Sequence, residues 1–197
     1  MRRIAYFFMV LMVFESSASV PETARTFDFN IITNSLPRLK EEKILNSIII
    51  LKKIFSSPEF KDRILNHEYL SEKKFYFNKG LSNGQIYKKI LSGMEELYPW
   101  KNNTMDVEIE FYTDLESNVI GYTRSDTMKV WMNNKYFNKH TLAELASNLT
   151  HEWLHKLGFD HEKERTDDRK YSVPYAIGYI VRELAKEHEE QSEVVGN

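Results

Sequence analysis

Three histidines and a glycine lie at fixed intervals within eleven residues, and their spacing limits how this part of the chain can fold. The segment runs from His151 to His161, with His155 between them and Gly158 three residues later. Residues four apart on an α-helix share a face and lie about 6 Å apart along its axis, so His151 and His155 are predicted neighbours. Gly158 tolerates the positive φ at which helices commonly end. The pattern predicts a helix that stops near Gly158 and a turn that returns His161 to the other two histidines.

The residues before His151 carry signals of a helix start. Thr141 and Glu144 have the spacing of a capping box, in which the two side chains satisfy free backbone N–H groups at the first turn. An apolar face follows at helical spacing, formed by Leu142, Leu145, Ala146 and Leu149. We therefore predict one helix over about 141–157 that carries both His151 and His155.

The three imidazoles suit a metal ion that keeps one open position. A catalytic zinc ion takes three protein ligands and leaves the fourth tetrahedral position to water. Glu152 is turned about 100° around the helix from His151, so it is not a natural ligand but can reach that water. Zinc lowers the pKa of a bound water to about 7, and a carboxylate can pass the proton to a leaving amine. The sequence predicts Zn2+ held by His151, His155 and His161, with Glu152 as general base.

Two other interpretations stay open at this point. In the first, the histidines are surface or core side chains that bind no common metal ion. In the second, they bind a zinc ion that is only structural. A closed structural site normally recruits a fourth ligand such as cysteine, and the chain contains no cysteine. The absence of cysteine also excludes a disulfide framework, so we expect the core and any bound metal to stabilise the fold.

The segment His151 to His161 resembles the HExxHxxGxxH signature of the metzincin zinc peptidases. The resemblance implies that His151, His155 and His161 are zinc ligands and that Glu152 is the general base. It also implies a fold in which a strand, a helix and further strands precede the zinc helix.

The chain departs from this family downstream of the motif. Metzincins place a methionine turn beneath the metal, yet no methionine follows Met132. The segment from Ser172 to Tyr175 lies where such a turn could fall, with Pro174 in place of the methionine. Because that methionine packs under the histidines without binding the metal, another apolar residue can do its work.

Hydrophobic periodicity predicts a single α+β domain over residues 19–197, with a small mixed sheet, the zinc helix and a C-terminal helix. Gly and Pro are sparse, and no repeat indicates a second unit. Alternating apolar residues predict strands at 26–33, 107–112, 119–123 and 128–132, the last two joined by a turn. Helical spacing predicts helices at 39–55, from 57 onward, at 82–99 and at 172–188.

Residues 1–18 have the layout of a secretory signal peptide. Arg2 and Arg3 precede an apolar run from Ile4 to Phe14, and small polar residues follow up to Ser19. About eleven apolar residues fall short of the roughly twenty that a membrane-spanning helix needs. We expect cleavage near Ala18 and a periplasmic or secreted protein with no stable membrane span.

A few residues have weaker claims to a role. Tyr175 is either a donor to the oxyanion that forms on a scissile carbonyl or a half-buried tyrosine at a helix start. Asp160 either orients a ligand histidine or is a solvated turn residue. The histidines at 67, 140 and 188 lack partners at ligand spacing, and we expect them on the surface.

The expected function is that of a zinc metalloendopeptidase or a related amidase that acts on a peptide or protein substrate. A peptide could add as a strand along Met128 to Asn133 if that strand is the exposed edge beside the zinc helix. One alternative is a zinc-dependent endoribonuclease of rRNA maturation, whose HxxxHxxGxDH pattern also fits His151 to His161. Glu152, the export signal and the acidic net charge of the mature chain argue against this alternative and against a nucleic-acid partner. The other alternative is a non-enzymatic, zinc-stabilised binding domain.

Overall fold

The computed structural model describes residues 27–195, with the backbone alone for 191–195. The predicted signal peptide, residues 1–18, lies outside the described residues. Within the described range the chain forms one mixed α/β domain with an open four-stranded sheet and six α-helices. No helix in that range combines the length and the apolar character needed to cross a bilayer.

The strands are β1 (Asp28–Thr33), β2 (Thr104–Tyr112), β3 (Gly121–Thr123) and β4 (Lys129–Asn133). The α-helices are α1 (Arg38–Phe55), α2 (Pro58–Leu65), α3 (Asn83–Ser92), α4 (Asn134–Phe137), α5 (Leu142–Lys156) and α6 (Val173–Val195). A 3₁₀ turn at Asp168–Tyr171 leads into α6.

The sheet is mixed, as predicted, and its strand order is β1-β2-β4-β3. Strand β2 pairs in parallel with both β1 and β4, whereas β3 pairs antiparallel with β4. The condition for peptide pairing along Met128 to Asn133, that this strand is the exposed edge, is not met, because β4 has a neighbour on each side. The outer strand on this side is β3, which also contacts α5.

The core lies between the sheet and the helices, and aromatic side chains fill much of it. Met105, Val107 and Ile109 alternate inward along β2 and are fully buried, as a half-buried strand requires. The ring of Phe55 on α1 stacks on Phe27 with 5.0 Å between centroids, and Phe27 meets the edge of Trp153 on α5 at 5.7 Å. Phe55 and Trp153 also meet, with 6.1 Å between centroids, so aromatic packing of this kind holds α5 against α1.

Two helix ends differ from the predictions. Helix α3 stops at Ser92 and does not reach Pro99, because Gly93 adopts a left-handed conformation with φ of +58°. A Cβ on Gly93 would lie 2.3 Å from the carbonyl oxygen of Thr104, so only glycine fits this turn. Helix α6 continues beyond His188 to Val195.

Candidate metal centre

Helix α5 carries His151 and His155 on one face, and its first turn forms as predicted. The Thr141 side chain accepts from the backbone N–H of Glu144, and the Glu144 side chain accepts from the backbone N–H of Thr141. The opposite face of α5 is buried in the core through Leu145, Leu149 and Trp153 among others. This burial turns the two histidines toward the loop that follows the helix.

The turn after α5 depends on Gly158, whose φ is +81°. The N–H of Gly158 donates to the carbonyl of His155, and the N–H of Phe159 donates to the carbonyl of Leu154. A Cβ on Gly158 would meet the side chain of Glu96 as well as strain the backbone. The prediction that the helix stops here and that the chain turns back is confirmed.

The turn brings the three predicted histidines together. One ligand atom from each of His151, His155 and His161 lies within 4.8 Å of the other two. The ring centroids are 5.0 Å apart for His151 and His155, 4.9 Å for His155 and His161, and 5.3 Å for His151 and His161. The group is partly buried and could hold a metal ion.

A backbone carbonyl holds one nitrogen of each imidazole. Nδ1 of His155 lies 2.7 Å from the Phe159 oxygen, and Nδ1 of His161 lies 2.8 Å from the Glu162 oxygen. His151 shares a hydrogen bond with the backbone of Pro174. Proline has no N–H, so the Pro174 carbonyl accepts and His151 donates. With one nitrogen protonated toward a carbonyl, the other nitrogen of each ring carries a lone pair for a metal.

The surroundings also keep the imidazoles neutral. Burial is the main cause that lowers the pKa of each of the three histidines, and for His151 the pKa falls well below its ordinary value. The mutual proximity of the rings adds to this for His151 and His155. Neutral imidazole is the form that binds metals, so the group is prepared for an ion.

Glu152 lies next to His151 on α5 and is only 5% exposed. No side chain or backbone group of residues 27–190 donates a hydrogen bond to its carboxyl group. Burial raises the pKa of Glu152 to about 8, and the charge of Lys156 opposes this rise. Burial also raises the pKa of Tyr175, and Glu152 contributes a smaller effect in the same direction. The structure thus provides a buried carboxyl group near a side chain that packs on the histidines.

Lys156 is a buried cation at the end of α5, and its role is structural. Its ammonium group donates to the carbonyls of Arg124, Thr127 and Lys129 in and beside the β3–β4 turn. Burial lowers the pKa of Lys156 to about 8, while Glu152 acts in the opposite direction. Three carbonyl partners satisfy all three donors of the ammonium group, so Lys156 ties the β3–β4 hairpin to α5.

The first turn of α6 forms one wall of the site. The ring of Tyr175 packs against His151 with 4.5 Å between centroids and against His161 with 4.8 Å. Helix α6 approaches α5 closely at Gly178, whose carbonyl accepts a hydrogen bond from Ser147 Oγ at 2.7 Å. Tyr175 is therefore a half-buried neighbour of two of the three histidines, a position that fits both of its interpretations.

The other residues with weaker claims are one aspartate beside His155 and three histidines outside the site. Asp160 Oδ1 lies 3.6 Å from Nδ1 of His155, and its other oxygen lies 3.4 Å from Lys79 Nζ, so it sits beside a ligand ring while largely exposed. His67, expected on the surface, is half-buried and stacks on Phe75 with 4.1 Å between centroids. His140 is also half-buried, and this burial lowers its pKa. None of His67, His140 and His188 joins the three-histidine group.

Two neighbours of the site were not predicted from the sequence. Glu162 accepts a hydrogen bond from the Tyr76 hydroxyl at 2.6 Å. Arg169, in the 3₁₀ turn before α6, lies over the ring of Tyr175, with 4.9 Å from Cζ to the centroid. Hydrophobic periodicity carries no information about either contact, because the first joins segments far apart in sequence and the second lies in a short turn.

The donor set fits zinc better than the hard divalent cations. Neutral imidazole is a preferred ligand of zinc, whereas magnesium and calcium take oxygen ligands, and no carboxylate belongs to the three-residue group. Zinc binds histidine nitrogen at about 2.0–2.1 Å, which three ligand atoms this close can provide after small side-chain adjustments.

Comparison of the chain with protein-family models, with curated proteins and with solved structures found no match. The resemblance to metzincins therefore rests on the eleven motif residues, and the geometry of the site carries the functional argument.

Proposed function

We propose that the protein is a zinc-dependent hydrolase that cleaves peptide bonds, a metalloendopeptidase or a close relative of the metzincin type. One observation carries this proposal. Three neutral imidazoles with a free lone pair each converge at the end of α5, and the buried carboxylate of Glu152 is adjacent to the first of them. A structural zinc site does not require an unpaired buried carboxylate at this place, whereas a hydrolytic site requires one as its general base.

His151, His155 and His161 would hold the ion. Bound zinc supplies Lewis acidity, which polarises a carbonyl and lowers the pKa of water. Glu152 would accept a proton from the attacking water and return it to the leaving amine. The hydroxyl of Tyr175 would donate to the oxygen of the scissile carbonyl as negative charge develops on it. The ring packing of Tyr175 on His151 and His161 supports this assignment.

The substrate backbone would pair with the free edge of β3. Strand β3 is the outer strand beside α5, and a Cβ on Gly121 would approach the side chain of Asn148 on α5 to 3.0 Å. An extended peptide that adds to this edge would run alongside the helix that carries His151 and Glu152. Main-chain hydrogen bonds would then provide affinity with little dependence on the substrate sequence.

We also propose that the protein acts outside the cytoplasm, as a periplasmic or secreted enzyme. The basic start, short apolar run and small polar residues of positions 1–18 support this proposal. N-terminal sequencing of the exported protein should begin near Ser19, and recovery of an intact Met1 in a cytosolic fraction would contradict export.

The experiment that tests catalysis replaces Glu152 with glutamine. Wild type and Glu152→Gln are assayed on a broad peptide library and on structured RNA, with zinc measured in the same preparations. Glu164→Gln, a change at an exposed glutamate in the loop after His161, is the matched control. We expect Glu152→Gln to keep its zinc and to lose about a hundredfold to ten-thousandfold in peptide cleavage, because the proton acceptor is gone.

The possible outcomes separate the three functions. Full peptide cleavage by Glu152→Gln would refute the proposed mechanism. Cleavage of RNA alone by wild type would favour an endoribonuclease. Zinc binding with no turnover of either substrate would favour a zinc-stabilised binding domain.

A further inference from the structure

The guanidinium group of Arg169 lies beside the candidate metal centre. Arg169 belongs to the 3₁₀ turn Asp168–Tyr171, directly before α6. Its Cζ lies 4.9 Å from the centroid of the Tyr175 ring. The same ring packs against His151 and His161, so one aromatic side chain contacts the arginine and two of the three histidines.

The hydrogen-bonding capacity of Arg169 is largely unused. Its Nε is buried and has no hydrogen-bond partner. Nη1 makes one long contact, 3.4 Å to the carbonyl of Lys163. A guanidinium has five N–H donors, and buried donors without partners are uncommon in folded proteins. The unused N–H donors of Arg169 are therefore available to an acceptor from outside the chain.

Arg169 also differs from Arg63 and Arg124. Arg63 pairs with both Glu183 and Glu187, and Arg124 pairs with Asp126. Among the side chains of residues 27–190, no carboxylate lies within 4.0 Å of the Arg169 guanidinium.

Hydrogen bonds from the hydroxyls of Thr166 and Tyr76 lower the pKa of Glu162, and the charge of Arg169 adds a smaller effect. The carboxylate of Glu162 nevertheless forms no ion pair with Arg169 within 4.0 Å. The guanidinium of Arg169 is therefore open to an anion from outside the chain.

We propose that Arg169 binds a carboxylate of the substrate close to the scissile amide. This inference rests on the proposed peptide hydrolysis and names the substrate class: peptides with a carboxylate next to the cleaved bond. The planar fork of arginine matches a carboxylate with two parallel hydrogen bonds, which a lysine at the same place cannot form. The carboxylate comes either from an acidic side chain or from a free C-terminus, and the chemistry of recognition is the same for both.

Three small peptide probes distinguish these sources without requiring cleavage. N-acetyl-alanyl-glutamine amide has no carboxylate, its glutamate counterpart carries one on the side chain, and its free acid carries one on the main chain. Binding of each probe to the zinc-loaded full chain is measured by calorimetric titration. The proteins are wild type, Arg169→Gln, Arg169→Lys and, as control, Arg182→Gln. Arg182 lies over Tyr179 on α6 with 5.0 Å to the centroid, so the control removes an equivalent stack away from the histidines.

We expect wild type to bind one of the two carboxylate probes about tenfold to a hundredfold more tightly than the neutral amide, as charge-assisted hydrogen bonds do. Arg169→Gln should lose this preference, Arg169→Lys should keep only part of it, and Arg182→Gln should retain it. The probe that wild type prefers identifies the source of the carboxylate.

Three results would overturn the proposal. They are equal binding of all probes by wild type, no binding of any probe, and the same preference in Arg169→Gln as in wild type. The last result would mean that the metal alone binds the carboxylate. Peptide cleavage is measured in parallel, so an Arg169-dependent preference without any cleavage would refute the hydrolase and leave the carboxylate site standing.

Discussion

The backbone carbonyl of Pro174 accepts a hydrogen bond from the imidazole of His151, and this contact joins the start of α6 to α5. The next residue, Tyr175, packs its ring on His151 and His161. The first turn of α6 thus supports two of the three histidines with a carbonyl and a tyrosine ring.

Close packing of α6 on α5 at Gly178 keeps Pro174 and Tyr175 in position. A Cβ on Gly178 would lie 3.3 Å from the Ser147 carbonyl oxygen and 3.7 Å from Cβ of His151. We expect Gly178→Ala to destabilise the fold by about 1–3 kcal/mol, because a helix backbone yields little to overpacking. Zinc affinity should fall as well, since α6 moves away from His151. Chemical denaturation and competition with a zinc chelator measure the two effects.

Gly84 on α3 is the matched control for this change. A Cβ there would meet Leu65 Cδ2 at 3.9 Å, which is an ordinary contact. Gly84→Ala should therefore be neutral or stabilise the fold by about 0.5–1 kcal/mol, as alanine usually does within a helix. Equal stability and zinc affinity in Gly178→Ala and wild type would contradict the proposed role of the close approach.

The hydrogen bond from Tyr76 to Glu162 should help to position His161. His161 lies in a loop without regular structure, and its Nδ1 lies 2.8 Å from the Glu162 carbonyl oxygen. Tyr76→Phe removes the hydroxyl that holds Glu162 and keeps the ring. We expect zinc affinity to fall up to about tenfold, since groups that support a ligand contribute on this scale or above it. Tyr98→Phe, at an exposed tyrosine, should leave zinc affinity unchanged. Equal zinc affinity in Tyr76→Phe and Tyr98→Phe would contradict a role of Tyr76 in positioning His161.

Helix α5 and the turn that follows it could be predicted because their determinants are local. The capping box at Thr141, the four-residue histidine spacing and the positive φ of Gly158 all act within a few residues. The same holds for the strand alternation of β2, which the structure confirms.

The contacts that complete the site could not be predicted, because they depend on tertiary packing. Which strand lies at the sheet edge depends on the insertion of β4 between β2 and β3. The early end of α3 depends on the backbone of Thr104, which lies against Gly93. In the same way, the position of Arg169 follows from the docking of α6 and not from its sequence neighbours.

Glu95 should make the stability of the protein depend on pH. It is 1% exposed and accepts hydrogen bonds from Trp153 Nε1 at 2.7 Å and from the backbone N–H of Asp106 at 3.2 Å. Burial raises the pKa of Glu95 in the folded state, although these bonds oppose the rise. A folded-state pKa above the unfolded value gives stability at low pH that is lost as pH rises through the folded-state pKa.

Glu95→Gln removes this titration while its amide oxygen can still accept both hydrogen bonds. The free energy of unfolding of Glu95→Gln should therefore rise relative to wild type between about pH 4 and neutrality, by about 1.4 kcal/mol for each unit of pKa difference. Urea denaturation of both proteins across this range measures the difference. A difference that stays constant with pH, or that shrinks toward neutrality, would contradict the raised pKa of Glu95.

Metal analysis of the purified protein tests most directly whether the three histidines hold one zinc ion. Wild type, His155→Ala and the control His140→Ala are equilibrated with zinc, freed of excess metal and measured by elemental analysis. We expect about one zinc per chain in wild type and in His140→Ala, and a large loss in His155→Ala, because two imidazoles hold zinc far more weakly than three. Wild type without stoichiometric zinc, or undiminished zinc in His155→Ala, would contradict a zinc site formed by the three histidines.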